Sequence, residues 1–343
     1  MLPIADGTVA WPPGGALFLR ARDGWPLHER PLPGLVCEQS FRPDADALQR
    51  SGIEVRATAG DDAWPLVLVL PPRQRDEARA LFANALGRLQ PGSIVVASVA
   101  NDAGAKSAEA DLARIAGPLV SRSKHKCRVF WTQPGAGGGD AALAGQWRSL
   151  DAPRAIVGGR FRSRPGVFAW DRIDPASALL AEHLPADLHG RAADLGAGYG
   201  YLSVELLQRC PGITALDLYE AEARALDLAR ENLASFAPRV VPDFRWHDVT
   251  TGLPERYDVI VSNPPFHAQG NTERPDIGRR FIAVAAEALK PGGRLWLVAN
   301  RHLPYESVLD ASFGSVRIVA QRDGFKVVEA VKSAPTRTGR TPR

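Results

Sequence analysis

The 343-residue chain reads as an α/β protein built from two tandem units, the second a mostly parallel sheet closed by an antiparallel hairpin. Three observations predict this. Strand-like and helix-like segments alternate from residue 174 onward, the order that helical crossovers impose on a parallel sheet. The last two apolar segments, 315–321 and 325–332, flank Asp323-Gly324, a pair suited to the tight turn of a hairpin. Residues 62–101 repeat, in worn form, the order of residues 256–300. The length fits two domains, expected at 1–155 and 156–333, followed by a mobile basic tail at 334–343.

Each element carries a local signature. Asp174 followed by Pro175 marks a helix start over 175–184: the carboxylate caps free amides, and proline in the first turn forfeits no hydrogen bond. Residues 191–198 (RAADLGAG) form a strand running into a glycine turn, and 201–210 has helical spacing up to Pro211-Gly212. A second strand covers 213–220 and an amphipathic helix 222–236. Strands follow at 243–249 and 257–263, the latter apolar as a strand buried on both faces must be. A loop with Gly270, Asn271 and Pro275 leads to a helix over 278–290, a stop at Pro291-Gly292-Gly293 and a strand over 294–300. The Gly/Pro/Arg-rich stretch 157–166 reads as a linker or an arm.

In the first half, a strand within 62–74, a helix over 75–90 and a strand within 91–101 follow the same sequence of strand, helix, Pro-Gly and strand. The first 60 residues hold no Gly-x-Gly turn, and Leu70 stands where Asn263 stands in the later segment. A duplicated unit that has lost its sites has this look, although any two α/β units share some of the texture.

Composition excludes several classes. With 45% hydrophobic and 23% charged residues the chain is neither disordered nor fibrous. Cys37, Cys127 and Cys210 are scattered and form no CxxC pair, so no disulfide framework and no metal site are expected. The most apolar runs, 66–70 and 93–100, are too short for a membrane span, and the start has no basic-then-apolar leader. A cytoplasmic protein with no membrane partner is expected. Net charge is only +4, yet Arg160, Arg162, Arg164, Lys124 and Lys126 would suit phosphate; arginine-favouring codons would produce the same richness.

The glycine turn DLGAGYG spans Asp194 to Gly200 at a strand end. Gly196 and Gly198, with Ala197 between them, let backbone approach a ligand closely. Its GxGxG spacing, with Asp194 two residues before the first glycine, favours S-adenosylmethionine (AdoMet) over a dinucleotide. That cofactor has an ammonium and a sulfonium to satisfy and no pyrophosphate. Glu220 ends the second strand, where an acidic side chain can accept both ribose hydroxyls; Asp217 competes for this role, and the position of Glu220 at the carboxyl edge favours it. Asp248 lies at the same edge and is either the partner of the adenine amino group or a solvated loop carboxylate.

The most specific signal is Asn263-Pro264-Pro265-Phe266. An aromatic exocyclic amine is a poor nucleophile because its lone pair is delocalised into the ring. Two acceptors, the Asn263 side-chain oxygen and the Pro264 carbonyl, can each take one N–H and turn the lone pair toward a donor methyl. The prolines fix the loop so that both acceptors are already aimed. Phe266 offers a face on which a base can stack, and His267 is either a substrate contact or a loop residue. No strong general base is needed, because the product ammonium is acidic.

These residues resemble the bacterial rRNA guanine-N2 methyltransferases of the RsmC/RlmG type, in the small-methyltransferase group of class I enzymes. The resemblance is carried by PGVFAWDRIDPASALL (165–180), DLGAGYG, SNPPFHAQG (262–270), LKPGGRLWLVANRHLPYE (289–306) and FGSVRIVAQRDGFKVVEA (313–330). NDAGAKSAEADL (101–112) and SKHKCRVFW (123–131) extend it into the first half. It implies two Rossmann-like class I methyltransferase domains, the first degenerate and serving RNA recruitment or stability, the second catalytic. By the same resemblance Asp194, Gly196, Gly198 and Glu220 hold AdoMet, and Asn263 to Phe266 hold a guanine of ribosomal RNA, 16S favoured over 23S. The partner is ribosomal RNA or a ribosomal subunit, and the enzyme a monomer. Ala176 replaces the family's glycine there. Other readings of the same residues are methylation of a protein glutamine or of DNA adenine, and a non-catalytic RNA-binding module.

Overall fold

The computed structural model describes residues 1–58, 60–135, 137–265 and 275–334. They fall into two units, Met1–Arg154 with Arg164–Gly166, and Ala155–Ser163 with Val167–Arg343.

The first unit contains α1 (Leu2–Ala5), β1 (Ala16–Leu19), β2 (Leu35–Glu38), α2 (Arg42–Arg50), β3 (Glu54–Arg56) and β4 (Trp64–Val69). It continues with α3 (Arg75–Gly87), β5 (Leu89–Ala100), α4 (Ala105–Ala116), β6 (Leu119–Lys124), β7 (Cys127–Thr132) and α5 (Ala141–Trp147). Its seven strands lie in the order β3-β2-β1-β4-β5-β7-β6, parallel up to β5, with β7 antiparallel to both of its neighbours.

A ribbon of β8 (Arg154–Ile156) and β9 (Phe161–Ser163) comes next. The second unit then runs α6 (Pro175–His183), β10 (His189–Leu195), α7 (Tyr201–Arg209), β11 (Gly212–Glu220), α8 (Ala223–Leu233) and β12 (Asp243–Trp246). It ends with β13 (Tyr257–Ser262), α9 (Pro275–Ala288), β14 (Leu289–Asn300), α10 (Glu306–Ser312), β15 (Ser315–Arg322) and β16 (Phe325–Val331). The strand order, β12-β11-β10-β13-β14-β16-β15, is that of the first unit element for element, with β16 again antiparallel to its neighbours. The chain is thus two tandem Rossmann-like methyltransferase folds. Even the register agrees: Leu19 pairs with Val69 in one sheet as Leu195 pairs with Ser262 in the other, which sets Leu70 opposite Asn263 in any comparison of the copies.

Alternation along the strands of the second unit supplies two apolar layers. Ala192, Leu216, Leu218, Val259, Val261 and Trp296 face α6, α7 and α8, while Ala193, Leu195, Tyr219, Ile260 and Leu295 face α9 and α10. The sheet is therefore covered on both sides, and its carboxyl edge is the place left for a ligand.

Three local outcomes differ from the sequence reading. Pro291-Gly292-Gly293 is not a stop but a bulge inside β14: Tyr257 pairs with Leu289, then the register shifts and Val259 pairs with Arg294. A side chain at Gly293 would press on backbone oxygens of Lys290 and Tyr257, so glycine is required there. Residues 157–166 are not a free linker. Phe161 is buried with its ring 5.8 Å from Tyr199 and 5.5 Å from Tyr201, and the amide of Arg162 donates to Asn232 Oδ1 at 2.7 Å. Arg160 pairs with Glu205, Arg162 with Glu231 and Arg164 with Asp151, so the three arginines have carboxylate partners within the chain. Lys124 and Lys126 are exposed at the turn between β6 and β7. Finally, α10 and the three short strands before residue 57 had no periodic signal; β1 is buried at every position and shows no alternation. No helix among the described residues is long and apolar enough to cross a membrane.

Candidate active site

The carboxyl ends of β10 and β13 meet at a cleft where the strand order reverses direction. Its walls are the glycine turn from Gly196 to Tyr199, the start of α7, the start of α6 with Asp174 and Ser177, the Phe168-Ala169 segment, and Asn263. Ser262 Oγ donates to Leu195 O at 2.7 Å and stitches the two strand ends together just before they diverge around the cleft.

The turn is held by its neighbours. Gly196 and Gly198 take φ values of +76° and +56°, a left-handed conformation that favours glycine. The amides of Gly196 and Ala197 both donate to Tyr219 O, at 2.9 and 3.2 Å, and that of Gly198 donates to Glu220 Oε2 at 2.7 Å. Glu220 Oε1 accepts from its own helix entry, the amide of Glu222, at 2.8 Å. Burial raises the Glu220 carboxyl above its usual range. Asp217, its competitor on sequence grounds, lies inside the sheet, accepting from Arg191 Nη2 at 2.7 Å and Tyr257 Oη at 2.5 Å. Geometry separates the pair: Asp217 is engaged in a buried ion pair, and Glu220 is at the turn.

Asp194 sits behind the turn rather than on the cleft wall. Its Oδ2 accepts from Ser203 Oγ at 2.8 Å, while Oδ1 is buried without a donor among the described residues. Burial, the largest cause, pushes this carboxyl up to about 7. Asp248 caps the short turn after β12, its Oδ1 accepting from the amide and hydroxyl of Thr250 at 2.9 and 2.7 Å.

Asn263 lies on the cleft wall. Its Nδ2 donates to Asp174 Oδ2 at 2.9 Å and to Ser177 Oγ at 2.8 Å, which uses both of its N–H bonds. Its Oδ1 is buried and accepts from no described group. Pro264 is buried and Pro265 exposed. Phe266 and His267 lie outside the described residues, as do Gly270 and Asn271 and residues 335–343 of the tail.

Of the residues singled out in the sequence, the structure brings Gly196, Ala197, Gly198 and Asn263 together on one cleft, with Asp194 and Glu220 directly behind the turn. Sequence reasoning missed several of the cleft residues. Asp174 registered only as a helix cap, and Ser177 as an interior helix position. Tyr199 passed as ordinary variation, and Phe168, two-thirds exposed beside the positive-φ residue Ala169, carried no signal. The arrangement suits AdoMet: glycine backbone that a ligand can approach, a carboxylate at the end of β11, and on the cleft wall a buried Asn263 oxygen with no donor among the described residues. Among the described residues no three His, Cys, Asp or Glu side chains converge as metal ligands would.

Residues 158–329 match the methyltransferase small domain family. The chain is 31% identical over 281 residues to a ribosomal RNA small subunit methyltransferase C from Psychromonas ingrahamii, covering 79% of this chain and 77% of that protein. It is 32% identical to the protein of the same name from Yersinia enterocolitica, covering 79% and 76%. Among solved structures, it resembles the Thermus thermophilus 16S rRNA N2 G1207 methyltransferase in complex with AdoMet and guanosine. There the TM-score is 0.77 at 26% identity, over 96% of this chain and 92% of that one.

Proposed function

We infer that this chain, which belongs to the methyltransferase small domain family alongside the ribosomal RNA small subunit methyltransferases C, is an AdoMet-dependent enzyme that methylates the exocyclic N2 amino group of a guanine in 16S ribosomal RNA. The observation that carries this reading is the buried Oδ1 of Asn263 at the cleft, which has no donor among the described residues. An unpartnered acceptor in a desolvated place is costly unless a donor arrives with the substrate, and an exocyclic amine brings one.

Bound AdoMet supplies an electrophilic methyl group on its sulfonium. The glycine turn and Glu220 hold the cofactor: the turn gives backbone access and the carboxylate accepts from the ribose hydroxyls. Asn263 Oδ1 accepts one N–H of the guanine amine and the Pro264 carbonyl the other, which draws the nitrogen toward tetrahedral geometry. Its lone pair then points along the line of transfer. With AdoMet bound, the N–C bond would form as the S–C bond broke, and the cationic amine would lose a proton to water. Phe266 and the exposed Phe168 ring provide faces for the flipped base. Asp194 supports the turn from behind, and Asp248 shapes the loop beside the adenine.

In the finer reading, the substrate is a ribosomal subunit or its RNA, the enzyme works in the cytoplasm as a monomer, and the first domain recruits RNA or stabilises the second. Transfer of labelled methyl from AdoMet to 30S subunits, 50S subunits and naked rRNA from a strain lacking the enzyme tests this, with mapping of the modified base beginning at G1207. Label in 16S rRNA at a guanine N2 is the expected result. Label in protein or DNA would displace this reading, and no label with AdoMet bound would refute it.

A further inference from the structure

Resting on that reaction, we propose that Asp174, assisted by Ser177, is a positioning residue that locks the amide of Asn263 with its oxygen toward the reacting amine. A primary amide can present either end, and only the oxygen end accepts from the substrate. Asp174 decides which end it is. Its carboxylate only accepts, so it selects the NH₂ group of Asn263, and Ser177 Oγ holds the second hydrogen; the contacts are 2.9 and 2.8 Å. A flipped amide would set its oxygen against the Asp174 carboxylate and lose that bond, because the carboxylate has no hydrogen to give, whereas the Ser177 hydroxyl can serve either orientation.

The anchor is itself rigid. Asp174 Oδ2 also accepts from the amide of Ser177 at 2.9 Å, as the cap of α6, and the Ser177 side chain is buried. The reacting loop after β13 is therefore referenced to a helix end on the far wall of the cleft. The bond is also charge-assisted, and the pull of the carboxylate on the N–H groups makes the amide oxygen a stronger acceptor for the substrate. Asp174 acts through Asn263 and need not touch the substrate itself.

The test uses Asp174→Ser, which keeps a helix-capping oxygen but is too short to reach Asn263 Nδ2. Single-turnover methyl transfer to 16S rRNA is expected to slow about 10- to 100-fold, while AdoMet affinity by calorimetry and RNA KM stay within about twofold. Asp174→Asn, whose oxygen can still accept both bonds, should rescue most of the lost rate, and Ser177→Ala should show a smaller loss of the same kind. In the Asn263→Ala background, Asp174→Ser should cost nothing further, because the group it positions is gone.

A folded Asp174→Ser variant at the unaltered rate would overturn the assignment. So would a loss that adds in full to that of Asn263→Ala, or one that travels with AdoMet affinity. If the unaltered protein transfers no methyl to RNA, the reaction itself is misread and the assignment falls with it; that result is told apart by the unaltered protein alone.

Discussion

Gln39 and Glu220 occupy the same register in two sheets of the same strand order, each one residue beyond the partner of the first strand's last residue: Glu38 lies opposite Leu19 and Tyr219 opposite Leu195. Both accept from the amide two residues ahead, of Phe41 at 2.9 Å and Glu222 at 2.8 Å. They differ at the other end: Gln39 Nε2 donates to Ala21 O, whereas Glu220 accepts from the amide of Gly198. The matched register continues the contrast. Phe18 stands for Asp194, Arg20 for Gly196, Arg22 for Gly198 and Leu70 for Asn263. Arg20 keeps the positive φ of Gly196, yet its side chain runs to the buried Glu77 at 2.7 Å. The first unit has the same scaffold, with larger or apolar side chains at these four positions. Scaffold and site are thus separable: sheet order and turn geometry survive the loss of the groups that do chemistry.

The sharpest way to break the comparison is to remove the amide at the reacting position, a group that the first copy, with Leu70, does not have. Asn263→Ala should lower the methyl-transfer rate about 100- to 1,000-fold, the range for losing a preorganised hydrogen-bonding group, with AdoMet affinity by calorimetry nearly unchanged. Equal loss of both would make Asn263 a structural residue. Next, Glu220→Gln installs the residue of the first copy. Loss of charge-assisted bonds to the ribose should weaken AdoMet about 10- to 100-fold; unchanged affinity would move the ribose contact elsewhere.

Asp194→Asn tests the stability side. Burial holds the folded pKa near 7, above the usual 3.8, so the folded cofactor-free chain keeps a proton that the unfolded chain has released. Stability therefore falls as pH rises between about 4 and about 7 and stays low above that. The neutral variant should match the unaltered chain at pH 4 and gain on the order of a few kcal/mol by pH 8, read by thermal melting, while binding AdoMet less well. Equal melting profiles at every pH would show that Asp194 is neutralised by other means. Phe18 in the first copy is the same substitution taken to completion, a site carboxylate exchanged for packing.

The smallest effect is expected at Lys124 and Lys126. If the first copy serves RNA, replacing both with alanine should raise the RNA KM a few-fold and flatten its salt dependence by about one unit per lost phosphate contact. A salt slope that stays fixed would leave that copy a stabilising role.

Much of this contrast was legible in the residues. The pairing of Leu70-Pro71-Pro72 with Asn263-Pro264-Pro265 was visible by eye, because proline pairs after an apolar strand are rare enough to align. The helix over 175–184 and the closing hairpin were fixed by caps and turn residues acting within a few positions. What escaped had nonlocal causes. Asp174 reaches Asn263 across 89 residues of chain, and no spacing rule links the two. Phe161 belongs to the second unit because of two tyrosine rings about 40 residues downstream, so a Gly/Arg-rich stretch that looks like linker is packed. Between Asp217 and Glu220 the strand end already favoured Glu220, and what only three dimensions add is the reason Asp217 is unavailable, its bonds to Arg191 and Tyr257 inside the sheet.

The identical order of the two sheets bears on how the chain is made. In β10 a strand such as β4 meets a second strand holding the place of its own β1, so cross-pairing between the units is a hazard of the repeated strand order. Synthesis from the amino terminus counters it. The first seven strands precede β10 in the chain, and a sheet closed by its own hairpin has no open centre to offer a late strand. The worn copy, being first out, thus clears its own strands from the path of the working one.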